Sequence, residues 1–109
     1  MNFNEYQKIS RDTVAYPNPG SNYIYPTLGL AGEAGEVANK IQKVIRDKGG
    51  NIGDEERKGI EGELGGVLWY LAQLATEIGL SLDDVAKNNI EQLQSRKKRG
   101  MLHGSGDNR

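Results

Sequence analysis

LAGEAGEVANKIQKV, residues 30–44, sets Leu30, Ala34, Val37, Ile41 and Val44 at alternating spacings of four and three. That period is the apolar stripe of an amphipathic helix. IEGELGGVLWYLAQLATEI, residues 60–78, repeats it with Ile60, Leu64, Val67, Leu71, Leu74 and Ile78. Two long helices with matching stripes are the centre of the fold, and the rest of the chain is read outward from them.

The first long helix is expected from Thr27, a possible N-cap after Pro26, to Lys48, where Gly49-Gly50-Asn51 ends it. The second is expected from Asp54, as a cap, to Ile78, closed by Gly79. Ser81 then caps a further helix with Asp83 and Asp84 in its first turn, which runs to Arg99. Its basic end, Arg96 to Arg99, carries the charge favoured at a helix C-terminus. Residues 3–13 can form an opening helix with Phe3, Tyr6 and Ile9 or Ser10 on one side. Between them, YPNPGSNYIYP (residues 16–26) holds all three prolines and reads as a loop. Its Tyr16, Tyr23 and Tyr25 either pack that loop down or form a rim for a nucleobase. HGSGDNR, at the end, has no periodicity and reads as an extended tail from about residue 100.

Four helices without a strand pattern define an all-α, four-helix bundle-type subunit spanning residues 1–109 as one domain. The hydrophobic content of 36% is low for such a fold. A thin core gains from burying further surface in an oligomer. The absence of cysteine excludes disulfides, thiol nucleophiles and cysteine-based zinc sites, and His103 is the only histidine. A net charge of −1 supplies no field for nucleic acid, and one basic helix end adds little to that case. No apolar run of membrane-spanning length and no signal-peptide pattern is present, so a cytoplasmic protein is expected.

The chemistry lies one residue before each stripe, a rotation of about 100°. On the first long helix this shoulder carries Glu33, Glu36, Lys40 and Lys43; on the second, Glu63, Gly66, Tyr70, Gln73 and Glu77. Packing the stripes together brings the shoulders together. Three carboxylates gathered beside an apolar face repel one another unless a cation joins them. Mg²⁺ suits such hard oxygen donors and keeps room for waters and phosphates. A solvated helix face with a Glu36–Lys40 pair at i,i+4 has the same spacing, and from spacing alone both readings stand. Glycines 29, 32, 35, 59, 62, 65 and 66 run through these segments at roughly 1 kcal/mol each relative to alanine, which points to close helix packing or room for a ligand.

GLAGEAGEVANKIQK (29–43) followed by GELGGVLWYLAQLATEIGLSLDDVA (62–86) resembles the all-α nucleoside triphosphate pyrophosphohydrolases called MazG-like proteins. Their signature is E-x-x-E, a spacer, then E-x-x-D, and the likeness extends over residues 27–109. NNIEQLQSRKKRG and the tail are similar to the family's small phage- and bacteria-associated branch. The resemblance implies Mg²⁺-dependent (or Mn²⁺-dependent) hydrolysis of (deoxy)nucleoside triphosphates to monophosphate and pyrophosphate. It also implies a homodimer or a dimer of dimers. Carried over by position, Glu33, Glu36 and Glu63 become the catalytic and metal-binding carboxylates. Lys40, Lys43, Tyr70, Asn89 and Arg96 become candidate substrate contacts, with a helix-to-helix hydrogen bond the competing role for Asn89 and a helix-end charge for Arg96. Gly66 stands where the family carries its aspartate ligand. That departure leaves a second reading, a catalytically silent helical module that binds nucleotide or a protein. On the view that position 66 is a vacated ligand site, Gly66→Asp is expected to raise pyrophosphate release.

Overall fold

Both stripes fold as long helices in the computed structural model, which describes residues 1–109 and contains four α-helices and no strand. They are α1 (Phe3–Arg11), α2 (Ile24–Lys48), α3 (Asp54–Glu77) and α4 (Leu82–Lys98). No helix is long and apolar enough to cross a membrane. α2 and α3 pair antiparallel along their length, Gly29 lying against Tyr70, Glu33 against Gly66, Lys40 against Gly59 and Lys48 against Glu56. α2 packs on α3 alone, whereas α1 packs on α3 and α4.

α2 starts at Ile24, three residues before the expected cap at Thr27. Pro26 therefore sits inside the first turn, where its missing N–H has no intrahelical partner to lose. Asn22 serves that end instead, its Oδ1 accepting from the Tyr25 amide at 3.0 Å. At the other end Gly49 takes the left-handed conformation (φ 62°) that ends a helix without a Cβ penalty. Gly53, not Asp54, is the N-cap residue of α3, and Asp54 opens the helix with Glu55 and Glu56 in its first turn. Ser81 caps α4 as its position suggested, accepting from the Asp84 amide at 3.3 Å.

The shoulder of α3, rather than the centre of its stripe, faces the other helices. Gln73 and Ala72 are fully buried, while Leu64, Leu71 and Ile78 are 53%, 37% and 53% exposed. The stripe thus has two edges: Ile60, Val67 and Leu74 are half-buried, and the Leu64–Leu71–Ile78 edge lies open. α1 keeps part of its expected face, Tyr6 and Ser10, inward. Ser10 is buried and Tyr6 and Gln7 are half-buried, but Phe3 and Ile9 face solvent.

Only nine of 109 residues are buried, and the radius of gyration is 16.7 Å. A compact chain of this length has a radius of about 13 Å. The subunit is a splayed pair of long helices with α1 and α4 gathered at one end. The tail curls back rather than extending: Gln92 Nε2 and Arg96 Nη2 both donate to the Asp107 carbonyl, at 3.3 and 3.0 Å.

Candidate active site

The α2–α3 pairing puts the two polar shoulders against each other and brings Glu33 to Glu63. The Glu33 carboxyl lies within hydrogen-bonding reach of Glu63, which raises its pKa; partial burial and repulsion from Glu63 and Glu36 push it the same way. Two like charges so placed cannot both ionise without cost. Two turns further along α2 from Glu33, Lys40 Nζ lies 3.7 Å from Glu63 Oε1. Its side chain runs past Gly59, where a Cβ would make ordinary contact with Nζ at 3.6 Å.

Glu36 does not join the pair as closely. Three residues along a helix is about 300°, so when Glu33 faces α3 its neighbour is turned some 60° towards solvent, and Glu36 is exposed. No group of three or more His, Cys, Asp or Glu side chains is disposed to hold a metal. The expected convergence of three glutamates is therefore a facing pair with a third carboxylate nearby. Mg²⁺ is commonly held by one or two carboxylates plus waters and substrate phosphates, so a pair of this chemistry fits it.

On one side of the pair is an aromatic group. Tyr70 fits over Gly29, where a Cβ would overlap its ring. Burial raises the Tyr70 pKa, and the neighbouring charges of Tyr25 and Glu33 add to the shift. Trp69 packs edge-on to Tyr70 at 5.0 Å and to Tyr16 at 6.3 Å, and Tyr16 stacks on Tyr25 at 5.0 Å. On the other side, Lys40, Lys43 and Lys48 line an open cleft of about 400 Å³ with Asp47, Glu55 and Glu56. Running down the helix pair, the order is aromatic, acidic, then a cleft of mixed charge.

Asn89 and Arg96 lie elsewhere. α4 makes no packing contact with α2, and Asn89 is exposed on it. Arg96 is buried at the C-terminal end of α4, its Nη2 spent on the Asp107 carbonyl. Within one subunit neither residue reaches the Glu33–Glu63 pair.

A polar clamp at Glu77 was not legible as such. Its side chain is fully buried and accepts from Tyr16 Oη (2.6 Å), Arg11 Nη2 (2.8 Å) and the amides of Gly20 and Asn22 (2.9 and 2.8 Å). Burial by itself would raise the Glu77 pKa, but the hydrogen bonds from Tyr16, Gly20, Asn22 and Arg11 outweigh it and hold the pKa at about 2. One turn earlier, Gln73 accepts from Arg11 Nη1 (3.2 Å) and donates to Ser10 Oγ (2.9 Å). Trp69 Nε1 donates to Thr13 Oγ1 at 2.7 Å. These bonds tie α1 and the proline-rich segment to α3 and so position the tyrosines. The i,i+4 spacing of Gln73 and Glu77 on the shoulder was the only signal in the sequence, and it did not name their partners.

The subunit is all-helical, and its two long helices face each other through Glu33, Glu63 and Lys40. The MazG nucleotide pyrophosphohydrolase domain matches residues 25–101, and the chain belongs to that family. It is similar to the Gene 37 protein of Mycobacterium phage L5, at 47% identity over 114 residues covering 100% of both chains. No solved structure matches it.

Proposed function

We propose that the protein hydrolyses (deoxy)nucleoside triphosphates to the monophosphate and pyrophosphate with Mg²⁺, Mn²⁺ being a substitute. The observation that carries this reading is the Glu33–Glu63 carboxyl pair, held across the α2–α3 interface with Lys40 beside it. Glu33 and Glu63 would hold the cation, with Glu36 one turn away. When bound, Mg²⁺ neutralises phosphate charge and lowers the pKa of an attacking water. Lys40 and Lys43, pointing into the cleft next to the pair, would take phosphate oxygens as point charges. Tyr70, on the far side of the pair, would lie along the nucleoside. Cleavage breaks the bond between the α- and β-phosphoryl groups; water supplies the new oxygen and loses a proton to solvent or a nearby base, and pyrophosphate departs.

The open apolar edge of α3 and the large radius favour a homodimer, or a dimer of dimers, as the working form. Asn89 and Arg96 would contact substrate only if a second subunit brought α4 to the pair.

The test is pyrophosphate release from a panel of canonical and modified triphosphates with Mg²⁺ or Mn²⁺, for the native chain and for Glu63→Gln. Release abolished by Glu63→Gln supports the proposal. The lack of a three-ligand group favours a second reading, a catalytically silent module that binds nucleotide or a protein. Nucleotide binding without any pyrophosphate release would establish it instead.

A further inference from the structure

The missing side chain of Gly66 is filled from the opposite helix. A Cβ placed there would stand 2.7 Å from Glu33 Oε2, 2.8 Å from Cδ and 3.2 Å from Cγ. The first two separations are closer than real Cβ atoms come and the third is tight, so a side chain at this position must shift the Glu33 carboxyl, the flexible end of its side chain. Gly62 and Gly65, on the same stretch of α3, face open space within 4 Å. Among the three glycines, the gap is in use only at position 66.

We propose that Gly66 is a positioning residue: its bare backbone leaves the gap through which the Glu33 carboxyl crosses from α2 to Glu63, and so builds the pair that binds a divalent cation. This rests on the reading of that pair as the cation site. It changes the meaning of the glycine. Position 66 is not a ligand site left vacant, because another carboxylate already occupies its volume. Gly66→Asp would evict Glu33 and exchange one carboxylate for another, so the gain in activity expected from the sequence should not appear.

Mn²⁺ binding to the full chain without nucleotide, followed by the loss of the free-ion electron paramagnetic resonance signal, tests this apart from catalysis. Glu33→Gln and Glu63→Gln should each weaken binding about tenfold or more. Gly66→Ala removes no oxygen donor yet should also weaken it about tenfold, with no fall in Tm, since alanine is the better helix former. Gly65→Ala, in open space, should bind like the native chain. Glu33→Asp, one methylene too short to cross, should reproduce the loss at Gly66→Ala and serves if that variant fails to fold. Native affinity in Gly66→Ala, or tighter binding in Gly66→Asp, overturns the positioning role while leaving the cation site standing. No Mn²⁺ binding by the native chain, or binding indifferent to both glutamine variants, overturns the site and the inference together.

Discussion

The Tyr16 hydroxyl donates to the Glu77 carboxylate at 2.6 Å, joining the proline-rich segment to the last turn of α3 across 61 positions of sequence. With Arg11 and two backbone amides on the same carboxylate, this contact holds Tyr16, and Tyr25 stacked on it, against α3.

Glu77→Ala should cost about 3 kcal/mol, the worth of a carboxyl held from its ordinary pKa of 4.5 to about 2. A depressed pKa means the unfolded chain binds the proton more readily. The contribution is therefore complete above the ordinary glutamate range and is lost as pH falls from about 4.5 towards 2. Urea unfolding at pH 7 and pH 3 measures it, and the gap between native and variant should narrow at the lower pH. A gap independent of pH would contradict the clamp.

Gly29→Ala should destabilise the fold by about 1–3 kcal/mol, because the added Cβ overlaps the Tyr70 ring and an aromatic ring cannot yield as a flexible chain end does. Gly32→Ala, with nothing within 4 Å, should be neutral or mildly stabilising. Thermal unfolding of the two variants side by side is the measurement. Equal behaviour would mean that Tyr70 does not pack on this turn.

Glu33 has the opposite sign to Glu77. Its pKa is raised, so its favourable contribution is present below the ordinary glutamate pKa and is lost as pH rises through the raised value. Glu33→Gln should therefore have a higher Tm than the native chain at pH 7 in the absence of divalent ions, and no advantage near pH 4. Added Mg²⁺ should raise the Tm of the native chain and not that of the variant. A variant less stable at pH 7 would show that the two carboxyls do not repel.

Lys40→Met should barely alter stability, since its ion pair with Glu63 at 3.7 Å is partly exposed and such pairs contribute about 0–1 kcal/mol. Under the proposed function it should raise KM for the triphosphate by about tenfold, the loss of one charge-assisted phosphate contact. Steady-state kinetics separate the two effects. An unchanged KM would remove Lys40 from the substrate contacts.

Leu71→Glu, on the open edge of α3, should leave helix content intact and lower the mass in solution to that of one subunit. Sedimentation at micromolar concentration decides it. A native chain already monomeric would refute the association proposed above.

Where the helices lie was written in the chain. Helical period is a local property, and Ser81, Gly49 and Gly79 mark boundaries by backbone chemistry that acts within a few residues. The start of α2 escaped this reading because a proline in a first turn loses no hydrogen bond and so does not mark where the helix begins, and the Asn22 side chain that serves this end lies upstream of it. The pairing of Glu33 with Glu63 was foreseeable because both stand one residue before a stripe, and matching stripes bring matching shoulders together.

Other features required the packed molecule. The sequence assigns apolar residues to the interface without saying how far each helix is rotated about its axis. In the folded chain α3 turns its shoulder inward, which buries Gln73 and Glu77 and leaves Leu64, Leu71 and Ile78 outside. Rotation is settled by contacts between residues tens of positions apart: Glu77 with Tyr16, Gln73 with Ser10, Gly29 with Tyr70. The use of Gly66 belongs to the same class, for a missing side chain acquires a role only when another helix reaches into its place.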